Sequence, residues 1–171
     1  MKRGLIVAFM LTLSASLAES ASAQTVSAQG SGTVGGHSDC FTCVPPVISS
    51  GGKGVSFSFS FSGTGTGAAV PVTGTFNAVD KETNTGLAYS GPAVIFPQNH
   101  TLCLFGVDPC FLTTPDGSTL PAACLFCAID DSSNGRADQI TFSGAAPNGE
   151  IFGCGGLSPC PPIASGNMHI D

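Results

Sequence analysis

"GVSFSFSFSG", residues 54–63, places Val55, Phe57, Phe59 and Phe61 at every second position, with Ser56, Ser58, Ser60 and Ser62 between them. Successive side chains of an extended strand point to opposite faces, so this spacing puts all the rings on one side and all the hydroxyls on the other. A helix would scatter both sets around its axis. The stretch therefore reads as a half-buried β-strand, its Phe face turned to a core and its Ser face to water.

The same grammar continues on both sides. "GTGTG" at 63–67 breaks the strand, "AAVPVTGTFNAVD" (68–80) resumes it with Val70, Val72 and Phe76, "KETNTG" (81–86) reads as a hairpin turn, and "LAYSGPAVIF" (87–96) returns. Further strands are expected in "TLCLFGV" (101–107), "CLFCAID" (124–130), "DQITFSG" (138–144), "EIFGC" (150–154) and "NMHID" (167–171). "DPCFLTTPDGSTLPAAC" (108–124), with three prolines and Asp116-Gly117, reads as a cross-linked surface loop. Charged residues make up only 9% of the chain, and helix-type spacing of Leu and Ala is scarce. The expectation is an all-β chain: a single antiparallel β-sandwich, or barrel-like, domain over 53–171. A Gly/Ser-rich strand and a CxxC loop over 24–52 precede it.

The first residues carry Lys2 and Arg3, then an apolar run from Leu5 to Leu13, then Ala21-Ser22-Ala23. This is the layout of a secretory signal peptide over 1–23. The apolar run falls short of the ~20 residues a spanning helix needs, so no membrane span is expected. Removing the signal leaves roughly 150 residues, enough for one core. The remainder carries Lys53, Lys81 and Arg136 against ten acidic residues. Phosphate binding needs clustered Lys and Arg, so no nucleic-acid partner is expected. The expected location is secreted, periplasmic or cell-surface.

All eight cysteines fall beyond the signal: Cys40, Cys43, Cys103, Cys110, Cys124, Cys127, Cys154 and Cys160. An even number bound for an oxidising compartment points to disulfide staples. Sequence proximity favours Cys40 with Cys43, Cys154 with Cys160, and the four from Cys103 to Cys127 pairing among themselves. If Cys124 and Cys127 share a strand they cannot bond to each other, because residues i and i+3 lie ~10 Å apart and face opposite ways, beyond the ~7 Å a disulfide spans. A redox pair at "CFTC" would need a helix to follow, and "VPPVISSGG" cannot supply one. A four-thiolate zinc site from Cys40, Cys43, Cys124 and Cys127 has pairs some 80 residues apart, unlike the ~15–20 of compact zinc ribbons.

Four stretches in order, "GVSFSFSFSG", "GTFNAVDKETNTG" (74–86), "AIDDSSNGRADQITFS" (128–143) and the ending "SGNMHID" (165–171), resemble the post-COAP domain family of secreted bacterial modules. The likeness runs from about residue 53 to 171. In the third stretch, Asp130 and Asp131 fall on the family's D-N pair, Gly135 on its second Gly and Asp138 on its Asp, with Ile140 and Phe142 on the alternating apolar sites. The cysteines and the loop around Pro115 are not part of that pattern. The resemblance implies an all-β fold and export, and it supplies no catalytic residue.

Within 128–143, Asp130, Ser132, Asn134, Gly135 and Asp138 fit the first, third, fifth, sixth and ninth positions of a calcium loop. Thr141 stands where an EF-hand needs a bidentate Glu, which removes the EF-hand and leaves two readings. One is a β-loop calcium site on Asp130, Ser132, Asn134 and Asp138. The other, favoured, is a hairpin turn built from residues that hydrogen-bond their own backbone. No other cofactor is suggested. There is no G-x-S-x-G elbow and no H-E-x-x-H, and His37, His100 and His169 stand far apart in sequence. Trp is absent and Tyr89 is the only Tyr, which weakens a carbohydrate cleft. The expected function is an exported, non-enzymatic β-module with a structural, surface or interaction role and a protein or surface partner. A small secreted hydrolase built on scattered carboxylates, and a calcium-dependent assembly module, are the rivals.

Overall fold

The computed structural model describes residues 22–34, 40–43, 47–49, 54–106, 110–132, 136–154 and 163–171. These form thirteen strands and no α-helix among the described residues. They are β1 (Gln24–Val34), β2 (Cys40–Cys43), β3 (Val47–Ser49), β4 (Val55–Gly65), β5 (Val70–Asp80), β6 (Thr85–Phe96), β7 (Thr101–Gly106), β8 (Cys110–Thr113), β9 (Thr119–Pro121), β10 (Ala123–Ile129), β11 (Gln139–Ala145), β12 (Ile151–Cys154) and β13 (Ile163–Ile170). A 3-10 turn over Pro97–Asn99 links β6 to β7.

All pairings are antiparallel, and the strands belong to one continuous sheet in the order β13-β1-β4-β5-β6-β7-β10-β11-β12-β2-β3, curled into a half-barrel. The barrel-like alternative is thus the one adopted, yet its interior packs like a sandwich. Phe59 and Phe61 of β4 and Phe76 of β5 lie 5.3, 6.3 and 4.3 Å, centroid to centroid, from Phe126 of β10, several strands away along the sheet. Phe142 of β11 lies 5.3 Å from Phe76 and 6.0 Å from Phe152 of β12. The curl folds one half of the sheet over the other, and Phe126 is the hub at which they meet. Each of these rings is almost wholly buried. Burying a Phe stabilises by roughly 1.5–3 kcal/mol, with about 0.5–1.5 more for each well-placed ring pair.

The alternation read from "GVSFSFSFSG" holds residue by residue: Val55, Phe57, Phe59 and Phe61 are buried, while Ser58, Ser60 and Ser62 are exposed. Curling brings backbones close, and glycine marks where. A Cβ at Gly74 would strike the Ser60 carbonyl and Phe61 of the neighbouring strand. Gly166, at φ +124°, faces Gly32 across β1 and β13, where a side chain would strike Ser31 and Gly32.

Four expectations change. Residues 24–34 are no preface to the domain, because β1 pairs with β4 over its whole length and with β13 on its other side. "CFTC" is a strand, β2, paired with β12, rather than a loop. An extended backbone over Cys40–Cys43 separates its ends by ~10 Å, which is too far for the expected Cys40–Cys43 bridge, and the register sets Cys40 opposite Cys154 instead. Cys160 lies outside the described residues. The stretch 108–124 is in part a hairpin, β8 with β9, hung on the first half of β6. It forms because Thr113 and Thr119 flank a Pro115-Asp116-Gly117 turn, with Gly117 at φ +84°.

Two disulfides are described, Cys103–Cys127 and Cys110–Cys124, both within the expected quartet. Cys103 and Cys127 are direct partners on β7 and β10, with Cα atoms 4.2 Å apart. Cys110 and Cys124 are buried, whereas Cys103 and Cys127 are half-buried on the outer face. The three-residue step from Cys124 to Cys127 thus gives β10 a staple on each face. With both cysteines oxidised, the four-thiolate zinc reading fails.

Candidate functional site

The polar side chains that converge most do so where β13 runs past two hairpin ends. Asp130 follows β10 directly, and its backbone N–H donates to the His100 carbonyl at 3.0 Å. Its Oδ1 accepts from the Ser132 hydroxyl at 2.6 Å and the Ser132 N–H at 3.3 Å, the local turn that an Asp two residues before a Ser readily makes. Its Oδ2 accepts from the Ile170 N–H at 3.3 Å. His100, in a left-handed conformation at φ 45°, sets its Nδ1 2.8 Å from the Ile170 carbonyl, so Nδ1 carries the proton and donates. Ile170 pairs with Ala28 of β1, and the neighbouring Asp171 N–H donates to Ser27. The free edge of the last strand is therefore capped on both backbone groups of Ile170, one by Asp130 and one by His100.

Two more contacts extend this latch. Ile163, at the other end of β13, donates its N–H to the Asp138 carbonyl at 2.9 Å, while the Asp138 Oδ1 accepts from the Asp131 N–H at 3.2 Å. His169 is 60% exposed; its Nδ1 lies 3.5 Å from the Asp130 carboxylate and its Nε2 lies 2.7 Å from Asp171. Burial raises the Asp130 carboxyl, but the hydrogen bonds from Ser132 and Ile170, with His169 alongside, outweigh it and hold the group below the usual carboxylate range.

Of the residues read as calcium ligands, Asp130, Ser132 and Asp138 are described and Asn134 lies outside the described residues. Those three are bound to one another's turn and to β13 in the manner just given. Among the described residues, no group of three or more His, Cys, Asp or Glu is arranged to hold a metal. A second buried carboxylate, Asp80, closes the β5–β6 turn: its Oδ1 accepts from the Glu82 and Thr83 N–H groups at 2.8 and 3.4 Å. His100 and His169 were not legible as partners of Asp130. They lie 30 and 39 residues from it in sequence, and only the curl of the sheet brings them together.

The two outer faces of the sheet differ in chemistry. Over β13, β1, β4 and β5 the outward side chains are mostly hydroxyls and amides, with Pro71, Val79 and His169 among them. Ser27 stands opposite Ser62, Gln29 opposite Ser60 and Ser31 opposite Ser58, which in turn faces Asn77. A groove of about 380 Å³ here is walled by Gln29, Ser31, Ser60, Asn167 and His169. Over β6, β7 and β10 the outward residues are mostly apolar, with Ser90 and Thr101 among them, and a groove of about 330 Å³ is lined by Pro92, Val94, Phe96, Cys103 and Phe105. No helix among the described residues is long and apolar enough to cross a membrane.

No family model matches the chain, and no curated protein or solved structure matches it either.

Proposed function

We propose that this chain is an exported, non-enzymatic β-module with a structural, surface or interaction role; the resemblance to the post-COAP family implies the export and the all-β fold. The observation that carries the reading is the use made of Asp130. The buried Asp130 carboxylate has both oxygens committed inside the fold, Oδ1 to the Ser132 turn and Oδ2 to the Ile170 N–H of β13, with His169 alongside. The polar chemistry that a hydrolase would spend on substrate is spent here on closing the fold. Export is supported by the signal-like first 23 residues and by two disulfides, which persist in oxidising compartments.

The test pairs stability with turnover. Asp130→Ala is expected to lower the melting temperature, and the unaltered protein is expected to turn over nothing in a panel of ester, peptide and glycoside substrates. Reproducible hydrolysis lost on a single carboxylate substitution would sink the reading. A melting temperature that rises with calcium and falls with chelator, with the response lost in Asp130→Ala, would transfer the role to the calcium-dependent alternative at Asp130, Ser132, Asn134 and Asp138.

A further inference from the structure

We infer that the rim of the half-barrel where β5 turns into β6 holds a calcium ion between the carboxylates of Asp80 and Glu150. Among the described residues, Asp80 Oδ2 and Glu150 Oε2 are the two buried side-chain nitrogen or oxygen atoms without a hydrogen-bond partner. Asp80 is 1% exposed, so bulk water does not relieve it. Its Oδ1 is taken by the Glu82 and Thr83 N–H groups, which leaves Oδ2 bare. A charged oxygen withdrawn from water without a partner is costly, and two of them in one interior repel as well. Asp130, where sequence spacing alone suggests calcium, has both oxygens bonded, whereas Asp80 and Glu150 each keep one free.

Register and two contacts across the barrel set the bare oxygens in one layer. Phe76 on β5 lies against Phe142 on β11. Two residues nearer the rim, Ala78 pairs with Leu87 on β6, and Leu87 presses on Gly144 of β11, where a Cβ would strike its Cδ1. Gly144 in turn pairs with Phe152 on β12. Two residues further, Asp80 pairs with Thr85, and on the facing wall the Ala146 N–H donates to the Glu150 carbonyl. Side chains two apart along a strand share a face, so Asp80, Thr85, Ala146 and Glu150 close the same end of the core. Asp80, Thr85 and Ala146 are all buried, and Lys81, next in the turn, is exposed. The layer thus offers two carboxylates and the Thr85 hydroxyl. Donors that are all oxygen select a hard divalent cation over metals that favour thiolate or imidazole. Calcium accepts irregular oxygen sets and sheds water more readily than magnesium, which suits ligands withdrawn from solvent.

The inference goes beyond the non-enzymatic role proposed above and fails separately. Turnover would sink that role and leave the ion in place; a chain that takes up no calcium loses the ion and keeps the role. The experiment is calorimetric titration of chelator-dialysed protein with calcium chloride alone, together with thermal melting, on the unaltered protein, Asp80→Asn, Glu150→Gln and Asp130→Ala. The expected result is one ion per chain with a dissociation constant of about 10⁻⁴–10⁻³ M, the range of extracellular modules. Calcium at tenfold that concentration should raise the melting temperature by about 3–6 °C. Asp80→Asn keeps an acceptor for the turn and loses the charge; it and Glu150→Gln should each weaken binding at least about 10-fold, while Asp130→Ala binds as before. If Asp80→Asn does not fold, Glu150→Gln carries the test. No uptake up to about 10 mM calcium, uptake indifferent to both amide variants, or uptake lost in Asp130→Ala would each overturn the proposal. So would a protein indifferent to calcium that melts higher as pH falls, which would assign the two oxygens to a shared proton.

Discussion

The hydroxyl-rich strands of the sheet (β1, β4, β5, β13) and the apolar strands (β6, β7, β10) feed one core and differ in the chemistry they turn outward. In the first, strict alternation such as Phe57-Ser58-Phe59-Ser60 sends every ring inward and every hydroxyl outward. In the second, runs such as Ala93-Val94-Ile95-Phe96 and Leu102-Cys103-Leu104-Phe105 carry apolar residues on both faces. Alternation describes a surface that ends at water, whereas a continuous apolar run turns apolar side chains to both faces of the strand. The second half also holds both described disulfides, one on each face of β10, while the first is held at its edge by the Asp130 and His100 latch on β13.

The comparison can be broken at its common core first. Phe126→Ala removes the ring where the halves meet and is expected to destabilise by about 3–5 kcal/mol, read by denaturant unfolding. A loss below about 1 kcal/mol would mean the halves do not pack on each other there. Next comes the staple on the inner side. Replacing Cys110 and Cys124 together by Ala should cost about 3 kcal/mol, the typical effect of opening a loop of this length, whose ends are 14 residues apart.

The latch ranks third. Asp130→Ala leaves the Ile170 N–H without its acceptor and should cost about 1–3 kcal/mol, with faster amide exchange at Ile170 than at Gly30. The pH dependence follows from the depressed carboxyl. Because the folded value lies below the unfolded one of about 4, the stabilisation is present above that pH and is lost as pH falls through the folded value. The Asp130→Ala protein should therefore show a shallower acid limb in its melting temperature. An identical limb would remove Asp130 from the account. The smallest effects lie on the outer faces: Ser58→Ala and Phe105→Ser should each change stability by less than about 0.5 kcal/mol, read by denaturant unfolding.

Most of the sheet is legible in the sequence because its signals are local. The Phe and Ser alternation of 55–62, the turn chemistry of "KETNTG" and the Asx-rich stretch 130–138 each report on their own few residues, and β4, the β5–β6 turn and the β10–β11 connection follow. What escapes depends on the curl. Nothing near Cys40 announces that β2 pairs with β12, and nothing near His100 announces an acceptor 70 residues away at Ile170. The composition of 130–138 reads first as a turn and second as a metal loop. The use of its first carboxylate as a latch is written only in the placement of β13.

The central claim is that β10 divides two environments, with Cys124 facing the core and Cys127 facing outward over the apolar half. Peptide mapping by mass spectrometry under non-reducing conditions, after cleavage between Leu125 and Phe126 or between Phe126 and Cys127, tests it directly. The account predicts one cross-linked pair joining Cys103 to Cys127 and another joining Cys110 to Cys124. Cys103 joined to Cys110, or to Cys124, would contradict it, because neither linkage fits this register of β7 against β10.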